Sequence, residues 1–130
     1  MHLNNKGEFF MSVVCIRGAI TANENSKEEI LNKTEMLLKA INETNNINDE
    51  DIVSIVFTMT KDLNKVYPAV AARKIGITQA ALLCYQELDI EGSLEKCIRV
   101  MYTCEKDCSQ KDVKHIYLEG AKVLRPDLAK

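Results

Sequence analysis

The chain has 130 residues, 46% apolar and 28% charged, the balance of one ordinary globular domain able to bury a core of its own. Its longest unbroken apolar stretch, Ala80–Tyr85, falls far short of the ~18 residues that a membrane-spanning helix needs. A formal charge of −2, from 17 basic and 19 acidic residues, argues against non-specific binding to nucleic acid or to an acidic membrane surface as the main activity.

Residues 1–10 (MHLNNKGEFF) are polar up to Phe9-Phe10 and read as a flexible N-terminal extension, with a single domain expected over 11–130. They lack the basic start, apolar run and small-residue cleavage site of a secretory signal. Val13-Val14-Cys15-Ile16 is strand-like, and Gly18 then permits a close approach. Ser26-x-x-Glu29 is a capping-box signal. Ile30, Thr34, Leu37, Leu38 and Ile41 recur behind it at helical spacing, which predicts an amphipathic helix over 27–43. Ile52–Met59, rich in Val, Ile and Phe, predicts a strand. Leu63–Ile75 reads as a short helix interrupted early by Pro68 and stopped by Gly76. Ala80–Leu88 predicts a second apolar strand, Glu91-Gly92-Ser93 a turn, and Leu94–Cys104 a long strand. Two short strands are expected at His115–Leu118 and Ala121–Leu124. The fold class is therefore α+β, a single mixed sheet with helices packed on it.

The five cysteines are Cys15, Cys84, Cys97, Cys104 and Cys108. Their odd number, without an export signal, points to reduced thiols in a cytoplasmic protein rather than a disulfide framework. Cys104 and Cys108, with His2 and His115 as the only histidines, make no tetrahedral zinc set. No metal and no cofactor are expected.

Only four of the 17 basic residues are arginines: Arg17, Arg73, Arg99 and Arg125. Arg17, Arg99 and Arg125 have apolar neighbours. A guanidinium binds carboxylates as a planar fork and keeps its charge when desolvated, so half-buried arginines point to an anionic small ligand. They can equally lay their stems along the sheet and pair with surface acids. Glu87 closes the apolar run Ala80–Gln86. Such a carboxylate is either a strand emerging into water or, beside a cationic cluster, an ionised acceptor for a hydroxyl. Cys84 has no base nearby in sequence and reads as an inert buried thiol. Tyr117 reads as a core aromatic with its hydroxyl at the rim. No nucleophile–base pair, metal set or phosphate loop stands out. That inventory suits a binding protein, or a reaction needing only positioning and electrostatics.

Over Met11–Leu128 the chain resembles the chorismate mutases of the trimeric, mixed α/β type. The resemblance is carried by Ile16-Arg17-Gly18-Ala19, Glu28-Glu29-Ile30-Leu31, Asp62-Leu63, Tyr67-Pro68-Ala69 and Gln86-Glu87-Leu88-Asp89. Further on it is carried by Lys96-Cys97-Ile98-Arg99-Val100-Met101, His115-Ile116-Tyr117-Leu118-Glu119 and Val123-Leu124-Arg125-Pro126-Asp127-Leu128. It implies a trimeric pseudo-α/β barrel with sites between subunits, chorismate as substrate and rearrangement to prephenate in phenylalanine and tyrosine synthesis. It also implies roles. Arg99 matches the donor to the ether oxygen, and Arg17 the arginine that holds a carboxylate. Glu87 and Cys84 match the pair that holds the ring hydroxyl, and Tyr117 the tyrosine that donates to a carboxylate. Tyr67, Ala69 and Arg73 match the pocket wall and mouth, and Leu124 and Arg125 the closing C-terminal segment. Departures are Val70 in place of a lysine and one residue fewer between Arg73 and Glu87. Leu82-Leu83 replaces a smaller, hydroxyl-bearing pair in the pocket wall, and the tail ending at Lys130 is short. Strict strand alternation also sets Cys84 and Glu87 on opposite faces unless the strand bulges near Gln86 or Cys84 acts through its backbone. Two other readings stand beside this one: a trimeric imine or enamine deaminase of similar architecture, and a non-catalytic binder of small aromatic-pathway acids.

Overall fold

The structure, a computed structural model, describes residues 2–3 and 9–128. The expected N-terminal extension lies largely outside the described residues. Within it, the backbone of β1 (His2–Leu3) pairs antiparallel with β2 (Phe9–Phe10). The domain then runs β3 (Ser12–Thr21), α1 (Lys27–Thr44), β4 (Ile52–Met59), α2 (Ala69–Lys74), β5 (Ala81–Gln86), β6 (Cys97–Lys106) and β7 (Ile116–Tyr117). Short 3₁₀ turns occupy Asp49–Asp51, Gln110–Asp112 and Glu119–Leu124. Among the described residues, no helix is long and apolar enough to cross a membrane.

The five-stranded sheet has the order β5-β4-β6-β3-β7. β6 pairs antiparallel with both β3 and β4, and each edge strand pairs parallel with its neighbour, β5 with β4 and β7 with β3. This is the expected mixed sheet. Alternation along β3 and β6 sends Val14, Ile16, Ile20, Ile98, Val100 and Tyr102 to one face. There they form one core with Ile30, Leu37, Leu38 and Ile41 of α1. Gly18 lies where α1 crosses β3. A Cβ built there would stand 2.7 Å from Ile41 Cδ1 and 3.1 Å from the Ile116 carbonyl oxygen, so the close approach expected at Gly18 is what its missing side chain allows.

The Ser26 hydroxyl accepts the Glu29 N–H at 3.1 Å, as the capping signal implies. The Glu29 carboxylate reaches past Ser26 and accepts the Asn23 N–H at 2.6 Å. Two buried polar groups are satisfied locally: Thr34 Oγ1 donates to the Ile30 carbonyl (2.7 Å) and the Tyr102 hydroxyl to Asn42 Oδ1 (2.8 Å).

Three expectations are corrected. The helix expected over Leu63–Ile75 is confined to Ala69–Lys74, because the proline ring keeps the residue before it out of helical geometry. The strand expected from Leu94 begins only at Cys97. Lys96 has φ +48, and both oxygens of Asp62 accept its N–H. Ala121–Leu124 is not a strand but part of the last 3₁₀ turn. That turn starts at Glu119, whose φ of +52 breaks the extended path. Thr21 Oγ1 accepts the Gly120 N–H at 2.9 Å, and Lys33 of α1 grips both Glu119 oxygens at 2.7 and 2.8 Å.

On the opposite face, among the described residues, only Ala19 and Cys97 are covered, by Ala121 and Leu124 of the last 3₁₀ turn, and the rest lies open. Val13, Leu83, Tyr85 and Met101 stand on it, 43–64% exposed.

Candidate active site

The open part of this face is where the polar chemistry gathers. β3 sends Arg17 to it, β6 sends Arg99, β4 sends Val56 and Thr58, and β7 adds Tyr117. The register places Ala19 beside Arg99 on one side and Thr58 beside Arg99 on the other. Arg99 thus stands mid-sheet among short side chains. Glu87 follows the last residue of β5, and its N–H donates to the Met59 carbonyl at 2.9 Å, which prolongs the β4–β5 ladder by one step. Arg17, Val56, Thr58, Glu87, Arg99, Met101 and Tyr117 line one open depression of about 270 Å³.

At its floor Thr58 Oγ1 donates to Glu87 Oε2 at 2.6 Å. Arg99 Nε lies 3.3 Å from the same oxygen, close enough for an ion pair. The N–H nevertheless lacks hydrogen-bond geometry, and Nε is buried without a partner. The Arg99 side chain as a whole is 42% exposed, so the guanidinium is open to a ligand while its Nε is shut in. Arg17 is exposed. Its backbone N–H donates to His115 Nδ1 at 2.9 Å, which fixes the neutral imidazole as the Nε2–H tautomer. Burial holds the His115 pKa below its ordinary value, and the charges of Arg17 and Arg125 lower it further.

Of the other expected residues, Arg125 is engaged within its own segment. Its Nε and Nη2 donate to Asp127 Oδ1 (3.1 Å) and Oδ2 (2.8 Å), and this pairing holds the Asp127 carboxyl below the usual range. Leu124 packs with Ala19, Cys97 and Ala121 and borders a broader recess that Arg99 also lines. Leu83 is exposed on the open face, whereas Leu82 and Cys84 pack against the core beneath the sheet. Alternation therefore holds through β5, and the Cys84 thiol lies on the other side of the sheet from the depression. Tyr67, Ala69 and Arg73 do not meet the depression within one chain. Tyr67 is exposed beside Met59, Asn64, Lys65 and Val66, Ala69 is buried, and Arg73 is exposed on α2.

All five cysteines are free. Burial raises the Cys97 thiol and pushes Cys104 up to about 12, so neither is a ready thiolate. Sequence reasoning missed Thr58, Val56 and Met101. The only signal for them was their period-two place on strands whose pairing partners were unknown.

The arrangement offers two guanidinium groups at a small concave surface, one carboxylate held by a hydroxyl, and a tyrosine. It can bind an anion and stabilise growing negative charge without a nucleophile.

The chorismate mutase type I family model matches residues 13–128. Chorismate mutase AroH of Bacillus subtilis (strain 168) is 45% identical over 120 residues, which cover 92% of this chain and 94% of that protein. Chorismate mutase AroH of Thermus thermophilus is 43% identical over 114 residues, 87% of this chain and 93% of that protein. Among solved structures, the chorismate mutase from Clostridium thermocellum Cth-682 matches with a TM-score of 0.83 and 52% identity, over 84% of this chain and 97% of that chain.

Proposed function

The chain belongs to the chorismate mutase type I family, and on that premise we propose that it converts chorismate to prephenate by positioning and electrostatics, with Arg99 as the principal catalytic group. One observation carries this reading: Arg17, Arg99, Glu87 and Tyr117 surround a single depression. No observation favours the deaminase or the non-catalytic binder.

The substrate is a dianion that breaks a C–O bond ahead of C–C bond formation. Negative charge grows on the ether oxygen as the bond lengthens. The enzyme has to select the folded, chair-like conformer and place a cation beside that oxygen. Arg99 supplies the cation. Arg17 and Tyr117 bind a carboxylate and so orient the enolpyruvyl arm. Glu87 accepts from the ring hydroxyl through the oxygen that Thr58 leaves free, and any part for Cys84 falls to its backbone, its thiol lying on the other side of the sheet. Arg125 and Leu124 close over the bound substrate once Arg125 parts from Asp127.

The working assembly in this reading is a homotrimer. The open sheet face exposes Val13, Leu83, Tyr85 and Met101, apolar surface of the kind that marks an interface. A closed ring would bury them. It would also bring Tyr67, Ala69, Arg73 and Leu83 of one subunit toward the depression of the next, and build the mouth that one chain lacks. The free thiols fit a cytoplasmic setting.

The test is to mix purified protein with chorismate and follow the loss of its ultraviolet absorbance, with prephenate identified as the product. Conversion by the intact chain and none by a heat-denatured sample is the expected result. A folded protein that binds chorismate but leaves it unchanged would establish the non-catalytic reading instead.

A further inference from the structure

We propose that Thr58 is a positioning residue: its hydroxyl limits the Glu87–Arg99 ion pair to a single point and so leaves the remaining guanidinium N–H donors free for a ligand. The inference rests on the reading of Arg99 and Glu87 given above.

Thr58 on β4 and Arg99 on β6 are register partners. Thr58 Oγ1 donates to Glu87 Oε2 at 2.6 Å, and Arg99 Nε approaches the same oxygen at 3.3 Å without forming a hydrogen bond. An arginine and a glutamate this close ordinarily shut into a fork, two parallel N–H···O bonds that are short and charge-assisted. Here they do not. The oxygen nearest the guanidinium is already taken by the hydroxyl. The Glu87 backbone is pinned to the Met59 carbonyl, so the carboxylate swings only about its own side-chain bonds.

The distinction matters for the donors. A fork would spend two Arg99 N–H groups on an internal anion. A hydroxyl is a single neutral donor. It satisfies the carboxylate oxygen without using an arginine N–H, and it leaves Glu87 Oε1 without a hydrogen bond from the described residues. Thr58 therefore holds the ion pair to one point of contact and keeps the other polar atoms of both side chains available to a ligand.

The experiment compares Thr58→Val, of nearly the same shape but without the hydroxyl, with Thr58→Ser, which keeps it. Each is made in the wild-type and in the Glu87→Ala background. A hydrogen bond to a charged group is worth on the order of 10- to 100-fold, so Thr58→Val is expected to lower kcat by about that much. The melting temperature should hold, and Thr58→Ser should restore most of the rate. In the Glu87→Ala background Thr58→Val should add little, because the group it positions is gone. A crystal structure of Thr58→Val should show Glu87 turned into a two-point contact with Arg99.

Wild-type turnover in Thr58→Val overturns the proposal. So does an equal further loss in the Glu87→Ala background, which marks a merely structural role. Should Thr58→Val fold poorly, Thr58→Ala takes its place, and failure of both to fold assigns the hydroxyl to stability and also overturns it. If the folded wild-type chain does not convert chorismate, this proposal falls with the reading beneath it. If wild type is active and only the Thr58 result fails, the reading of Arg99 stands.

Discussion

His115 Nδ1 accepts the backbone N–H of Arg17 at 2.9 Å and thereby ties the start of β7 to β3 between two residues of the depression, Arg17 and Tyr117. The bond requires an unprotonated Nδ1. A doubly protonated imidazole would turn a donor toward a donor.

Stability should accordingly depend on pH through this one ring. Burial first, then the charges of Arg17 and Arg125, hold its pKa in the folded protein below 6.5. A depressed histidine pKa means that the unfolded chain takes up the proton first. The contribution is therefore fully present above about pH 6.5 and is lost as pH falls through the folded-state value. Melting temperature should drop between pH 7 and pH 5 by more in wild type than in His115→Asn. Equal drops in the two proteins would remove His115 from the account. Turnover, in contrast, should stay flat across about pH 7–9, since no group there has to exchange a proton and guanidinium groups keep their charge.

Arg99→Ala should cost about 100- to 1000-fold in kcat, the usual loss when a donor aimed at developing negative charge is removed. Arg99→Lys keeps the charge but not the planar fork and should recover only part of it. Near-normal turnover in a folded Arg99→Ala protein would contradict the assignment.

Gly18→Ala tests the packing beneath the site. The new methyl would stand 2.7 Å from Ile41 Cδ1 and 3.1 Å from the Ile116 carbonyl oxygen. The first neighbour is a flexible side-chain end, but the second is backbone of β7, so relief by rotamer change is incomplete. Overpacking of this kind typically costs about 1–3 kcal/mol. Urea unfolding should show that loss at an unchanged m-value, with reduced turnover because β7 carries Tyr117.

Leu83→Glu places a charge on the exposed face of β5. If that face is where subunits meet, light scattering should show the assembly broken to monomers and activity lost together. An unchanged, active assembly would show that this part of the sheet is not an interface.

The fold was more legible than the site. α1 could be read because a capping pair and a helical repeat agree from Ser26 to Ile41, and β4 because a dense β-branched run has one natural conformation. Ala121–Leu124 misled because a short apolar run looks alike in a strand and in a 3₁₀ turn. The deciding fact, a left-handed Glu119 gripped by Lys33 of α1, is tertiary. The same holds for the site. The scarcity of arginines singled out Arg17 and Arg99. The partnership of Thr58 with Arg99 exists only once β4 and β6 have chosen their register. The opposition of Cys84 to Glu87 was visible from period-two counting alone, and the sheet keeps it.

The clasp between Arg125 and Asp127 bears on selectivity. The acid sits two residues from the base, so the arginine faces a competitor at a high effective concentration whether or not any ligand is present. A monoanion anchored nowhere else has to displace Asp127 unaided. A ligand carrying two carboxylates, already anchored elsewhere through one of them, meets Arg125 on equal terms with Asp127. If Arg125 closes over the substrate as proposed, the C-terminal segment would thereby favour dianions over monoanions.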